Sequence, residues 1–137
     1  MQVGSLGTSF LFIVGCNYRF TFDKLLFTSP GYPQYYPNNS TCAWKIIATK
    51  GWHINLKILD LNFEPSKNCD FDSVTIYDGD DETAIPIRKM CGIQPPDLLR
   101  SISNTLTVVM KTDLTLNGKG FKMEYEAVPG KLFFCLL

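Results

Sequence analysis

Alternation of apolar and polar residues with a period of two limits the folds open to this chain more than any other feature. Ile54, Leu56 and Ile58 alternate with His53, Asn55 and Lys57, and Phe121, Met123 and Tyr125 alternate with Lys122, Glu124 and Glu126. Successive side chains of an extended strand point to opposite faces, so both segments are expected to be half-buried strands. Leu106, Val108 and Met110 repeat the pattern between Thr105 and Lys111, and Ala43 to Ala48 and Ser73 to Tyr77 are short β-rich runs. At least five strands are predicted, and no segment carries a helical stripe.

Turn-forming residues separate these runs: Ser29-Pro30-Gly31-Tyr32-Pro33, Tyr36-Pro37-Asn38-Asn39, Lys50-Gly51, Asp78-Gly79-Asp80, Gln94-Pro95-Pro96 and Asn117-Gly118-Lys119-Gly120. Short strands with regular turns point to an all-β fold, an antiparallel two-sheet β-sandwich. A length of 137 residues and a hydrophobic fraction of 45% suit one globular domain. Positive and negative charges balance to a formal net charge of zero, and no basic run stands out, which argues against nucleic acid as a partner.

The chain has 5 cysteines, and no two are close enough to form a CxxC metal or redox motif. Cys16, Cys42, Cys69 and Cys91 lie in or beside the patterned region and allow three pairings that spacing alone does not separate. Cys135 stands in an apolar tail, residues 129–137, of a different character from the rest. Disulfides imply an oxidising compartment, hence a secreted, extracellular protein. Overlapping sequons make Asn38 and Asn39 candidate glycosylation sites. Residues 1–15 contain the apolar run Phe10 to Gly15 without a positive region before it, and are expected to be a weak signal-peptide-like or unstructured leader. No apolar stretch reaches the length of a membrane helix, so no membrane span is expected.

The order of motifs resembles the CUB domain family. The resemblance is carried by Cys16, Ser29-Pro30-Gly31-Tyr32-Pro33, Tyr36-Pro37, Cys42-Ala43-Trp44, Cys69-Asp70-Phe71-Asp72, Cys91-Gly92 and Gly120-Phe121. It places a CUB domain, a jelly-roll sandwich, over residues 16–128 and implies the pairings Cys16 with Cys42 and Cys69 with Cys91. Two departures stand out: family members often carry glycine just after the first cysteine, where this chain has Asn17-Tyr18, and before the Ser-Pro turn, where it has Leu25.

The resemblance also implies a metal site. Acidic ligands of the calcium-binding subset fall on Glu64, Asp72 and Asp113. The chemistry is consistent, because a hard divalent cation takes oxygen ligands and three converging carboxylates repel one another without one. Further oxygens are expected from Thr115, Leu116 or Asn117, although the family more often has Asn or Ser where Leu116 stands. A tyrosine that the family supplies from its N-terminal segment finds no match, Tyr18 lying too early. The acidic run Asp78 to Glu82 fails as an EF-hand loop, because Thr83 and Lys89 occupy positions that require Gly and Glu.

No catalytic motif occurs, His53 is the only histidine, and the chain is not expected to be an enzyme. The resemblance instead implies a calcium-dependent protein-interaction module, part or isoform of a larger modular protein, whose acidic residues receive a Lys or Arg of an extracellular partner. A free-standing spermadhesin-like protein that binds glycans is the alternative.

Overall fold

The computed structural model describes residues 2–5 and 11–130. All five predicted strands form: β5 (Thr41–Ile47), β6 (His53–Asn62), β7 (Ser73–Asp78), β11 (Thr105–Lys111) and β12 (Gly120–Val128). The others among the described residues are β1 (Gln2–Ser5), β2 (Leu11–Val14), β3 (Tyr18–Phe20), β4 (Lys24–Thr28), β8 (Ile85–Met90), β9 (Ile93–Gln94) and β10 (Asp97–Arg100). They build two sheets. The larger runs β1-β2-β4-β12-β6-β10, with β9 also on β6, and the smaller runs β3-β5-β11-β7-β8. Pairing is antiparallel apart from β2 on β4 and β3 on β5, which are parallel.

The leader expected at residues 1–15 supplies two of these strands. β2 lies in register with Leu26, Phe27 and Thr28 of β4, and Ile13 is buried. An apolar run rich in aromatic and β-branched residues suits a sheet as well as it suits a leader. Of the apolar tail, residues 131–137, with Cys135, lie outside the described residues.

The two sheets meet over the predicted apolar faces. Ile54, Leu56 and Ile58 of β6, Phe121, Met123 and Tyr125 of β12, and Leu106, Val108 and Met110 of β11 are all buried. Three rings hold the centre: Trp44 of β5 meets Phe121 edge-on at 5.0 Å, and Phe27 of β4 meets Phe121 at 5.7 Å. Alternation on β6 slips at Leu59, where the register with β12 shifts between Lys122 and Met123. Leu59 is the extra, outward residue of this bulge, which puts Leu61 rather than Asp60 into the core and sets the phase with which the chain leaves β6 towards Glu64.

Both implied disulfides are present, Cys16–Cys42 and Cys69–Cys91. The departures from the family pattern are accommodated locally. Asn17 adopts a left-handed conformation (φ 65°), which asparagine tolerates better than most residues, and its Oδ1 accepts the Ala43 N–H. Leu25 is a buried residue of β4. Beside Tyr36, Gly120 has φ +91° and a Cβ there would stand 1.9 Å from Ser29 Oγ, the atom that accepts the Phe121 N–H. The Gly120-Phe121 motif therefore exists to let β12 pass the Ser29-Pro30 turn. Gly120→Ala should lower stability by at least about 2 kcal/mol, from backbone strain and the loss of this contact. Urea unfolding monitored by tryptophan fluorescence checks this, and an unchanged midpoint would refute it.

Candidate metal centre

Three loops at one end of the sandwich bring the predicted carboxylates together. Ser73 pairs with Lys111 across β7 and β11, so the residues just beyond, Asp72 and Asp113, meet as the strands separate. Glu64 follows β6 of the other sheet, where the Phe63 N–H donates to the Gly92 carbonyl at 2.8 Å. The result is a cluster in which carboxylate oxygens of Glu64, Asp72 and Asp113 all lie within 4.8 Å of one another.

Asp72 is fully buried, and its two oxygens have separate donors. The Asp113 N–H reaches Oδ1 at 2.8 Å, and the Tyr36 hydroxyl reaches Oδ2 at 2.5 Å. The same phenolic oxygen accepts the Glu64 N–H at 3.1 Å. Tyr36 is itself buried, its ring stacked on Phe63 at 4.5 Å. Its backbone is fixed to the loop after β11, since the Tyr36 N–H donates to the Gly118 carbonyl and Asn117 Nδ2 donates to the Tyr36 carbonyl. One residue, by its hydroxyl and its backbone, thus ties together the loops that carry all three acids.

The electrostatics are unfavourable to a bare cluster. Burial pushes the Asp72 carboxyl above its ordinary range, and the Asp113 charge adds to that rise while the Tyr36 hydroxyl and Asp113 N–H oppose it. Burial, then the charges of Asp113 and Asp72, push the Glu64 carboxyl up as well. Burial and the Asp72 hydrogen bond raise the Tyr36 phenol, which stays a neutral donor. Glu64 Oε1 is buried without a hydrogen-bond partner among the described residues. A divalent cation fits this donor set: oxygens bound to one calcium at about 2.4 Å are at most about 4.8 Å apart.

Residues 16–125 match the CUB domain family. The chain belongs to that family. This CUB domain is 39% identical over 122 residues to cubilin of Rattus norvegicus, covering 87% of the chain and 3% of cubilin. Among solved structures it resembles the extracellular region of zebrafish Gpr126/Adgrg6, with 31% identity, a TM-score of 0.77, and coverage of 84% of this chain and 15% of that one. The MASP-1 CUB2 domain bound to Ca2+ shares the fold at 24% identity and a TM-score of 0.67, covering 81% of this chain and 99% of that one. The chain spans only a small part of cubilin and of Gpr126/Adgrg6. No helix among the described residues is long and apolar enough to cross a membrane.

The remaining candidates sit around the cluster in different ways. The Thr115 N–H turns back to Asp113 Oδ1 at 3.2 Å, and Asn117 is engaged by Tyr36. Leu116 is exposed with φ 59°, a conformation that asparagine would hold with less strain than leucine. Asn38 and Asn39 are exposed, and the Asn39 N–H donates to the Asp113 carbonyl at 2.6 Å, so the sequons border the cluster. His53 begins β6 and Glu64 follows its end, about 30 Å away at strand rise, so no imidazole attends these carboxylates.

Tyr36 is the residue the sequence reading missed. The expected tyrosine had no match near Tyr18, yet Tyr36-Pro37 was already visible as a motif. Its signal was a large aromatic in a turn otherwise made of polar residues and prolines. Tyr36→Phe should cost about 1.5 to 3 kcal/mol, the value of a hydrogen bond to a charged group, by leaving Asp72 Oδ2 and the Glu64 N–H unpaired. Chemical denaturation at neutral pH measures it, and a loss under about 0.5 kcal/mol would show that the hydroxyl does not hold the cluster.

Proposed function

We propose that this CUB domain is a non-catalytic, secreted module that binds calcium through Glu64, Asp72 and Asp113 and captures a basic side chain of an extracellular protein. The observation that carries the reading is the convergence of three carboxylates around a buried, unpartnered Glu64 Oε1. Solution of the same fold with Ca2+ in the MASP-1 CUB2 domain supports the choice of cation.

Each residue has a separate task. Asp72 is anchored by Tyr36 and the Asp113 N–H, and its remaining lone pairs are free for a cation. Glu64 and Asp113, both partly exposed, stand on the solvent side of it. Calcium supplies two positive charges that neutralise two of the three carboxylates and order the loops. One negative charge remains, and a Lys or Arg of the partner compensates it. Such a charge-assisted contact contributes about 1.5 to 3 kcal/mol, too little for tight capture by one domain. Neighbouring modules of a longer protein would supply the avidity.

Two disulfides and the exposed sequons at Asn38 and Asn39 accord with passage through the secretory pathway, where either asparagine would be glycosylated.

Calorimetric titration of the oxidised chain with calcium should show saturable binding with a Kd on the order of 0.1 to 1 mM, as in extracellular modules. Asp113→Ala should abolish it with folding intact. No binding up to several mM, well above that range, would refute the proposal.

A further inference from the structure

The segment that bears both sequons is stitched to the loop that carries Asp113. Just beyond the ladder that sets Thr41 opposite Lys111, the Thr112 N–H donates to the Ser40 carbonyl at 2.9 Å, and the Ser40 N–H donates to Thr112 Oγ1 at 2.8 Å. The Thr112 hydroxyl in turn donates to the Pro37 carbonyl at 2.9 Å. One residue further along, the Asn39 N–H reaches the Asp113 carbonyl at 2.6 Å. Tyr36 is buried immediately before this segment, and β5 begins immediately after it. Residues 37–40 are therefore anchored at both ends, and a group attached to Asn39 is rooted at a fixed place beside the carboxylate cluster.

Asn39 is suited to carry such a group. It is exposed, so a bulky polar substituent displaces no packed neighbour, and its left-handed φ of 49° is one that asparagine tolerates. Asn39 rather than Asn38 is bonded to Asp113; the Asn38 carbonyl accepts the Ser40 hydroxyl instead. Within the cluster, Asp72 is buried, whereas Glu64 and Asp113 are partly exposed and form its open side. A sugar chain rooted at Asn39 thus starts from the residue paired with one of the two carboxylates that a partner must reach.

We propose that Asn39 carries an N-linked glycan that acts as a steric gate on the cluster, passing a calcium ion and restricting the approach of a protein. The inference rests on the function proposed above and adds its regulation. The sugars attached directly to asparagine are uncharged, so they neither repel the ion nor compete with the carboxylates for it. An ion needs only a narrow opening. A Lys or Arg side chain arrives on a macromolecular surface that must close to direct contact with Glu64 and Asp113, and the glycan occupies part of that contact volume. Glycan length then sets how well the calcium-loaded module captures its partner, while calcium affinity stays the same.

The test uses the full oxidised chain with Ser40→Ala, produced in mammalian cells that leave glycans in the high-mannose form. This substitution removes the Asn38 sequon, keeps that of Asn39 through Thr41, and loses only the exposed bond from the Ser40 hydroxyl. Endoglycosidase H trims the glycan to one sugar without converting the asparagine to aspartate, so no charge is added beside the cluster. Calorimetry reads calcium binding, and calcium-dependent retention on a poly-L-lysine surface, with EDTA as the blank, reads capture. Trimming should leave the calcium Kd within about twofold and strengthen capture at least about tenfold, the equivalent of one charge-assisted contact restored. Equal capture before and after trimming, with calcium binding intact, overturns the gate. So does calcium binding that strengthens on trimming, or peptide mapping of the wild-type chain that finds Asn39 unmodified. Absence of calcium binding by both forms is the distinct result that removes the proposed function, and the gate with it.

Discussion

A carboxylate with no exposed surface must be held by donors or neutralised, and Asp72 organises one end of this sandwich for that reason. Desolvating such an ion costs several kcal/mol, and the Tyr36 hydroxyl and Asp113 N–H offset part of the cost at about 1.5 to 3 kcal/mol each. Satisfying Asp72 has consequences elsewhere. Tyr36 must be buried, so it stacks on Phe63 and receives the Glu64 N–H, which draws the exit of β6 in the large sheet towards β7 and β11 in the small one. The carboxylates gather because a buried acid recruits the loops around it. Once gathered, burial and the neighbouring charges raise the affinity of Glu64 and Asp72 for protons, and the same crowding of negative charge favours a cation.

The two ends of the sandwich solve the same problem differently. At the far end of β7, Asp78 accepts the N–H groups of Ile102 and Ser103 and the Ser103 hydroxyl, so this carboxylate is spent on the connection into β11. Hydrogen bonds from Ser103 and Ile102 outweigh its burial and hold its carboxyl below the ordinary range. Asp72 carries the opposite shift, because its burial, with the Asp113 charge added, outweighs the hydrogen bonds it accepts. At the open edge, Arg88 faces inward on β8 and pairs with Asp97 of β10, joining the sheets with an exposed ion pair that also discourages edge-to-edge association.

Much of this was legible in the sequence, and what was not has physical causes. β5, β6, β7, β11 and β12 were readable because one face is buried and the other is wet. β4 was missed because Leu25, Leu26, Phe27 and Thr28 are all buried, which erases alternation. β8 was missed because Pro86 interrupts it at a register shift, a break that an edge strand tolerates. The leader was set apart from the domain because a short apolar run has no period to distinguish a signal segment from a strand paired on both sides. Glu64, Asp72 and Asp113 were legible through family spacing, which is fixed by strand ends. Tyr36 was not, because its role depends on a loop closing from a distance of 36 residues.

The most direct test of the account is a calcium titration followed by amide chemical shifts of the oxidised, isotopically labelled chain. The account predicts saturable shifts concentrated at Glu64 and Asp113, whose N–H groups touch the Tyr36–Asp72 pair, and at Asn39 and Thr115, which hydrogen-bond to Asp113. Shifts confined to residues 78–84, or none beyond those caused by ionic strength alone, would contradict it.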